Sequence, residues 1–361
     1  MAAKSVVLLL ASTEDEALWR TALASQQVVA SALEAPAGSL TDAMRADSRL
    51  GRAGVLIADL PALSRQRLPL PVFARWARER WPNLRLVARL PSRAMLSPAE
   101  EAWAVANGAS AIVAGQSLAA VRASLVPALG KVVNALELPD VDAGALENFL
   151  RVMGAGADGA RAAAIGRAHS LRDWLSREGI GLEPLAREMT ARGGVAVEDR
   201  SYRGKTYRQC FVGTEALAWM RGKAGLSAKA ASAAAEALGR CGFVHHVVRE
   251  HVFADASYYF RFDGLPSALD RIDLDSLARE MRGAKGVPIG TRTYLGKAYE
   301  NCFVGGEAVD WLVRNHRLAI GEAEAIGQRL DDLGAIHHVV DEHGFVDAPY
   351  FYRFMADELE R

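Results

Sequence analysis

Along residues 1–136 short apolar runs alternate with longer stretches whose apolar positions recur every three or four residues. The runs are Ser5–Ala11, Gln27–Ala32, Val55–Asp59, Leu84–Arg89 and Ala111–Ala114. The periodic stretches fall near 14–25, 39–50, 71–80 and 97–107, and from Leu118 to about Leu136. Short continuous apolar runs read as strands buried on both faces, and the 3.6-residue period reads as amphipathic helix. Alternation of this kind predicts an α/β domain with a doubly wound, five-stranded parallel sheet. Residues 137–179 then read as a helical connector, with helices over Ala143–Met153 and about 160–177 split by Gly154-Ala155-Gly156. Leu146, Phe149, Leu150 and Met153 make an apolar stripe that fits either a neighbouring domain or a dimer seam.

The pattern changes after residue 180, where the chain repeats itself. A shift of 92 residues aligns 180–262 with 272–354 without a gap, and 38 of 83 positions are identical. Leu185-Ala186-Arg187-Glu188-Met189 returns as Leu277-Ala278-Arg279-Glu280-Met281, and His245-His246-Val247-Val248 as His337-His338-Val339-Val340. A long period present only twice indicates tandem duplication of a small domain, joined by a linker over 263–271. Each copy reads as α+β. A helix from Leu182 or Leu274 is followed by a hairpin arm around Gly204 or Gly296, and a second helix starts after Gly213 or Gly305. A third helix follows, from Ser227 to Arg240 in copy one, and then two strands, Phe243–Val248 and Val252–Phe262. Ser227 suits an N-cap, and Gly242 and Gly334 suit the helix ends.

Cys302-Phe303-Val304-Gly305-Gly306-Glu307-Ala308-Val309-Asp310-Trp311-Leu312 and the closing Tyr352-Arg353-Phe354 resemble the signature of the DEP family, the module of Dishevelled, EGL-10 and pleckstrin. The resemblance covers nearly all of 180–355, twice; Thr214, Ala218 and Met220 depart from it in copy one. It implies a winged-helix fold with a β-arm, and a non-enzymatic module that docks to partner proteins or membranes. The first domain is similar to a response-regulator receiver, through its element order, Gly54–Pro61 and Gly108-Ala109. That similarity places Asp59 at the phosphoacceptor position. The remaining chemistry is missing: Ala11-Ser12 stand for the metal-binding acidic pair, Ala88-Arg89 for the hydroxyl and Gly115-Gln116 for the lysine. A phosphoryl group and Mg²⁺ need those charges and ligands. The expectation is a degenerate receiver that takes no phosphate. The rival is a phosphorylation-controlled regulator with DEP output domains.

Charge sharpens this picture. The chain carries 43 basic and 43 acidic residues, which excludes an overall polybasic nucleic-acid binder. The zero total conceals a copy one of charge +4 and a copy two of −4, so the copies face separate surfaces or each other. Copy one concentrates cations and rings on its arm: Arg200, Tyr202, Arg203, Lys205, Tyr207 and Arg208. Arg292, Tyr294 and Lys297 are the counterparts in copy two. Such arms suit an anionic membrane surface or a polar protein partner. Arg75, Trp76, Arg78 and Trp81, within a basic run from Arg65 to Arg93, form a further candidate interface.

A winged-helix DNA binder is a third reading, but Glu322, Glu324, Asp331 and Asp332 on the third helix of copy two would repel phosphates. No nucleic-acid partner is expected, and a homodimer fits the connector stripe. His245, His246, His251 and His337, His338, His343 read as structural rather than metal-binding, because strand neighbours face opposite sides. Cys210 and Cys302 read as small buried side chains. No metal, cofactor or catalytic motif is expected. Three cysteines suit a reducing compartment, so the chain is placed in the cytoplasm, at most peripheral to a membrane. The run Val6–Ala11 reads as a strand rather than a signal peptide, and alanine and arginine richness points to a bacterial source.

Overall fold

A computed structural model describes residues 5–33, 38–153, 159–265 and 269–359. They form two compact units: the chain up to His169 with 332–334, and 170–331 with 335–361.

In the first unit, strands β1 (Ser5–Leu9), β2 (Val29–Ala32), β3 (Val55–Asp59), β4 (Arg85–Leu90) and β5 (Ala111–Ala114) pair in parallel in the order β2-β1-β3-β4-β5. This is a doubly wound order whose crevice opens at the carboxyl ends of β1 and β3. Helices α1 (Thr13–Ser25), α2 (Leu40–Ala46), α3 (Leu60–Arg65), α4 (Leu70–Arg80), α5 (Pro98–Ala106) and α6 (Val126–Ala135) connect and cover the strands. Serine N-caps start α1, α2 and α5, and the last adds a capping box between Ser97 and Glu100. The stretch 118–135 is apolar enough to span a bilayer by length and composition. Here Leu125, Leu129, Val132 and Val133 face the core beside Trp19, Leu8 and Ile57.

Helix α7 (Ala143–Met153) folds back onto this unit, and its Leu146 and Leu150 join the same core. Of the two sites expected for the stripe, Leu146 and Leu150 take the neighbouring sheet domain; Met153 and the split at 154–156 lie outside the described side chains. Helix α8 (Ala160–Arg177) gives Leu171 and Leu175 to the core of copy one.

Copy one consists of α9 (Leu182–Thr190), the hairpin β6 (Glu198–Tyr202) and β7 (Lys205–Val212), α10 (Gly213–Gly222), α11 (Ala228–Arg240), β8 (Val244–His246) and β9 (Tyr259–Phe262). Copy two repeats it with α12 (Leu274–Arg282), β10 (Gly290–Tyr294), β11 (Lys297–Val304), α13 (Gly305–His316), α14 (Ile320–Asp332), β12 (Ile336–His338) and β13 (Phe351–Phe354), and adds α15 (Met355–Leu359). Each sheet is antiparallel, β6-β7-β9-β8 and β10-β11-β13-β12.

The duplicated motif has direct physical causes. Phe211 and Phe303 are wholly buried, each a stabilisation of ~1.5–3 kcal/mol by transfer. Trp219 and Trp311 each donate their indole N–H to a loop carbonyl, of Gly193 and Lys285. A Cβ at Gly213 or Gly305 would run into the backbone carbonyls of Ala254 or Val346, so the second helix can start only on glycine. The last strand is shorter than the pattern over 252–262 predicts. Residues 247–258 form a loop in which the His251 ring stacks on Tyr258 at 4.1 Å, so side-chain packing rather than a ladder holds it.

Candidate functional site

Asp59 and Arg89 are register partners on adjacent parallel strands, so both side chains reach the carboxyl edge of the sheet. Both are wholly buried. The guanidinium of Arg89 donates from Nε to Asp59 Oδ1 (2.5 Å) and from Nη2 to Asp59 Oδ2 (3.1 Å). It also donates from Nη2 to Asp15 Oδ2 (2.5 Å) and from Nη1 to Gln116 Oε1 (3.1 Å). Gln116 Oε1 accepts as well from the Trp19 indole (3.0 Å), and the amide of Ala11 donates to Asp59 Oδ2 (2.9 Å). Arg161 supplies a second cation to Asp15.

Burial would push the Asp15 carboxyl up, but Arg89 and Arg161 hold it below the usual range. Arg89, standing at the position of the expected hydroxyl, neutralises the site from inside the sheet. The sequence signal was an arginine within the apolar strand Arg85–Leu90, readable as buried only once its partner strand is known.

Both arms are two-residue hairpins, closed by the pairs Tyr202–Lys205 and Tyr294–Lys297. Their tips need positive φ at both central positions, found at Arg203 (50°) with Gly204 (77°) and at Leu295 (46°) with Gly296 (76°). Tyr202 and Tyr294 are 55% and 62% exposed, and Leu295 is 88% exposed in spite of its apolar side chain. Arg203 lies over Tyr202 (5.2 Å), Lys205 over Tyr207 (5.0 Å) and Lys297 over Tyr299 (5.1 Å).

Three arm cations are not displayed as expected. Arg200 pairs with Glu198 and Glu215, and Arg292 with Glu307, where each clamps the arm to the second helix of its copy. Arg208 leaves the arm altogether and pairs with Asp310 (2.7 Å) and Asp347 (2.8 Å) of copy two. Tyr207 packs edge-on against Tyr259 at 5.8 Å.

The Arg208 pairs open onto an ionic seam between the copies. Glu324 on α14 is fully buried and accepts from His245 Nε2 (2.8 Å) and Arg261 Nη1 (2.6 Å) of copy one. Its other oxygen accepts from the amide of Asp347 (2.6 Å). His245 Nδ1 meets Asp263, and Arg249 donates to the carbonyls of Phe345 and Glu324. Burial pulls the His245 imidazole down, yet Asp263 and Glu324 more than reverse this and leave its pKa raised. Burial likewise opposes the Glu324 carboxylate, and His245, Arg261 and Arg249 hold it well below the usual range.

His245, Arg261 and Asp347 of this seam are shared by both copies, as His337, Arg353 and Asp255, but four other seam residues are positions at which the copies diverge. Arg208 and Arg249 correspond to Glu300 and Asp341, while Asp310 and Glu324 correspond to Ala218 and Ser232. The opposite charges of the copies therefore meet each other. At Gly321, where copy one has Lys229, a Cβ would collide with the Phe262 carbonyl of copy one. Helix α14, the reading element of a DNA-binding winged helix, buries Ile320, Glu324 and Arg329.

The remaining expected residues sit elsewhere. Trp76 and Trp81 pack edge-on at 5.3 Å with Phe73 beneath, and Arg45 lies over Trp76. Arg75 is exposed, and Arg78 lines a cleft with Arg85 and Asn83 at the amino edge of the sheet. Among the described residues, no group of three His, Cys, Asp or Glu could hold a metal ion. Cys210 and Cys302 are buried, and burial raises both thiol pKa values.

Residues 194–262 and 286–354 each match the family profile described as the domain found in Dishevelled, Egl-10 and Pleckstrin. The mouse phosphatidylinositol 3,4,5-trisphosphate-dependent Rac exchanger 1 protein is 29% identical over 188 residues, 49% of this chain and 11% of that protein. The vacuolar membrane-associated protein IML1 of Candida glabrata is 42% identical over 89 residues, 24% of this chain and 5% of that protein. The chain thus spans about a tenth or less of the length of these relatives. Their mammalian and fungal sources lend nothing to the bacterial origin read from composition. A solved structure of RcsB from Salmonella enterica serovar Typhimurium, bound to promoter P1flhDC with a phosphomimetic, covers 51% of this chain and 81% of its own. At 16% identity and a TM-score of 0.26 that likeness carries no argument. Repeat, fold and profile agree on one conclusion: the chain carries two tandem DEP domains, docked on one another through an ionic seam.

Proposed function

We propose that this chain is a non-catalytic signalling adaptor that docks to an anionic membrane surface through the tips of its two DEP arms. The observation that carries the reading is the pair of hairpin tips. Each presents an exposed tyrosine on a tip that carries cations: Tyr202 lies under Arg203 and opposite Lys205 in one arm, Tyr294 stands opposite Lys297 in the other, and the second adds an exposed leucine. Rings and an aliphatic side chain suit the headgroup boundary, and each cation near an anionic surface adds ~1 kcal/mol. The names of the relatives, one dependent on a phosphoinositide and one associated with the vacuolar membrane, are consistent with that surface.

The sheet domain serves this adaptor as a docking or homodimerisation element, with Arg75, Trp76, Arg78 and Trp81 as its surface. Its buried Arg89–Asp59 pair supports the reading of a receiver-like domain that takes no phosphate.

Flotation of the full chain with phosphatidylserine-rich and neutral vesicles tests the proposal. Reversing Arg203 and Lys205 together to Glu removes about 4 kcal/mol of attraction at that rate per charge and abolishes capture by anionic vesicles. Capture that persists in the variant, or is equal on neutral vesicles, sinks the membrane reading; retention of the wild type on a protein partner instead would move the arms to that class. Incubation with acetyl phosphate and Mg²⁺ should leave the wild type unlabelled. A label lost in Asp59→Asn would instead establish the phosphorylation-controlled reading.

A further inference from the structure

The socket that holds Glu324 in copy one exists a second time. In copy one, Arg261 Nε donates to the carbonyl of Arg208 (2.9 Å), and its Nη1 reaches the glutamate beside His245. In copy two, Arg353 Nε donates to the carbonyl of Glu300 (2.9 Å), which is the same backbone position, and His337 stands beside it. The carboxylate on the outer nitrogen of each histidine differs in origin. Copy one takes it from a thirteen-residue helix that lies outside its own fold, α14. Copy two takes it from the chain immediately following its last strand. Glu358 on the five-residue α15 lies 3.1 Å from Arg353 Nη1 and 3.4 Å from His337 Nε2.

The second arrangement is the looser one. His337 Nε2 is buried and has no hydrogen-bond partner among the described residues, whereas its counterpart in copy one is bonded at 2.8 Å. Both histidines meet a carboxylate at Nδ1, Asp263 and Asp341 respectively, which leaves Nε2 as the nitrogen that faces the glutamate. A helix of five residues is too short to be stable by itself, and α15 is held by buried Met355 and by the pair Arg282–Asp357.

We propose that His337 and Arg353 form a recognition socket for a glutamate carried on a helix of a partner protein, and that Glu358 fills this socket in cis until the partner displaces it. The occupant follows from copy one, where the same residues bury a helix-borne glutamate with flanking small residues, Gly321, Ala323 and Ala325. It is not a further copy of this chain. Glu324 is already buried in copy one, and the corresponding position on α11 is Ser232, which carries no charge. The head-to-tail seam leaves two surfaces of the pair outside it, the uncharged α11 face at Ser232 and the socket of copy two, and of these the socket is covered by the Glu358 plug. The proposal deepens the adaptor reading by giving it a protein-binding face separate from the arms.

The test uses the full chain and a labelled peptide of residues 317–333, held helical by a hydrocarbon bridge on the face away from position 324. Fluorescence anisotropy in the absence of membranes should show Glu358→Gln binding the peptide at least about tenfold more tightly than the wild type. Adding His337→Ala with Arg353→Ala should remove this binding, as should Glu324→Gln in the peptide. Equal affinity of wild type and Glu358→Gln, or binding that survives loss of both socket residues, overturns the proposal. Should Glu358→Gln disturb folding, the imidazole ¹⁵N resonances of His337 in the wild type give a second reading. Added peptide must shift Nε2 towards a hydrogen-bonded position, and an unmoved resonance at saturating peptide overturns the proposal equally. The Arg203/Lys205→Glu variant is expected to bind the peptide as the wild type does, so failure of arm docking and failure of the socket are separate results.

Discussion

Replacing Glu324 by Gln asks how strongly the two DEP domains are joined. The substitution keeps the shape of the side chain and removes one charge from a site closed to water. Arg261 and His245 then share a dry environment with no carboxylate between them, although Asp263 still faces His245. Breaking a buried pair by removing one partner costs ~3–5 kcal/mol. His245 escapes part of this by releasing its proton, at ~1.4 kcal/mol for each pKa unit, which places the expected loss near 3 kcal/mol. That is a large share of the ~5–15 kcal/mol that stabilises an ordinary domain.

The assay is urea unfolding followed by tryptophan fluorescence, in a double-mutant cycle with His245→Gln. The two losses should fall short of additivity by about 1–2 kcal/mol. The loss should also depend on pH. The folded pKa of His245 is raised above its ordinary value, so its contribution is complete below about 6.5 and disappears as the pH rises through the folded value. The groups that face it are Asp263, Glu324, Arg249 and Arg261. The cost of Glu324→Gln should therefore be largest near pH 6 and shrink on the alkaline side. Losses that add within ~0.5 kcal/mol and do not change with pH would refute the assignment of a charged histidine to the seam.

Arg89→Ala should destabilise the sheet domain by ~3–5 kcal/mol near pH 7.5, because Asp15 and Asp59 stay buried without their shared cation. Removal of Arg89 relaxes the depression of the Asp15 pKa, which Arg161 alone then maintains, so the deficit should narrow as the pH falls towards 4; equal urea midpoint shifts at pH 7.5 and pH 4 would contradict this. His246 is the opposite case to His245: burial, with His251 and His245 nearby, lowers it to about 4. The folded state refuses a proton that the unfolded chain accepts, so stability present above about 6.5 should fall by ~2 kcal/mol as the pH drops towards 4. His246→Gln should flatten that slope in thermal melts. Leu295→Gly removes an L side chain from φ 46° and should stabilise copy two by about 1 kcal/mol while weakening vesicle capture. A loss of stability, seen as a lower melting temperature, would show that the exposed leucine is held by packing.

Much of the architecture was legible in the chain before any coordinates. The five apolar runs that alternate with helical periods dictate a parallel sheet, because only helices on both faces bury such strands. The 92-residue repeat, with its Cys-Phe-Val-Gly corner, dictates two copies of one winged-helix module, since glycine and the buried phenylalanine answer to local backbone geometry. The hairpin tips were legible for the same reason, because a two-residue turn demands positive φ.

What each charge does was decided by tertiary structure. Arg208 belongs by sequence to an exposed arm, and Arg89 to a strand in which a hydroxyl was expected. Each finds its carboxylate far along the chain, Arg208 at Asp310 and Asp347 and Arg89 at Asp15 and Asp59. The net charges of +4 and −4 were visible in the sequence, yet whether they served separate partners or one another was not. Local pattern specifies which face of an element is buried, because that depends on neighbours a few residues away. The partner of a buried charge depends on which distant strands and helices become adjacent, and only the folded chain brings those together.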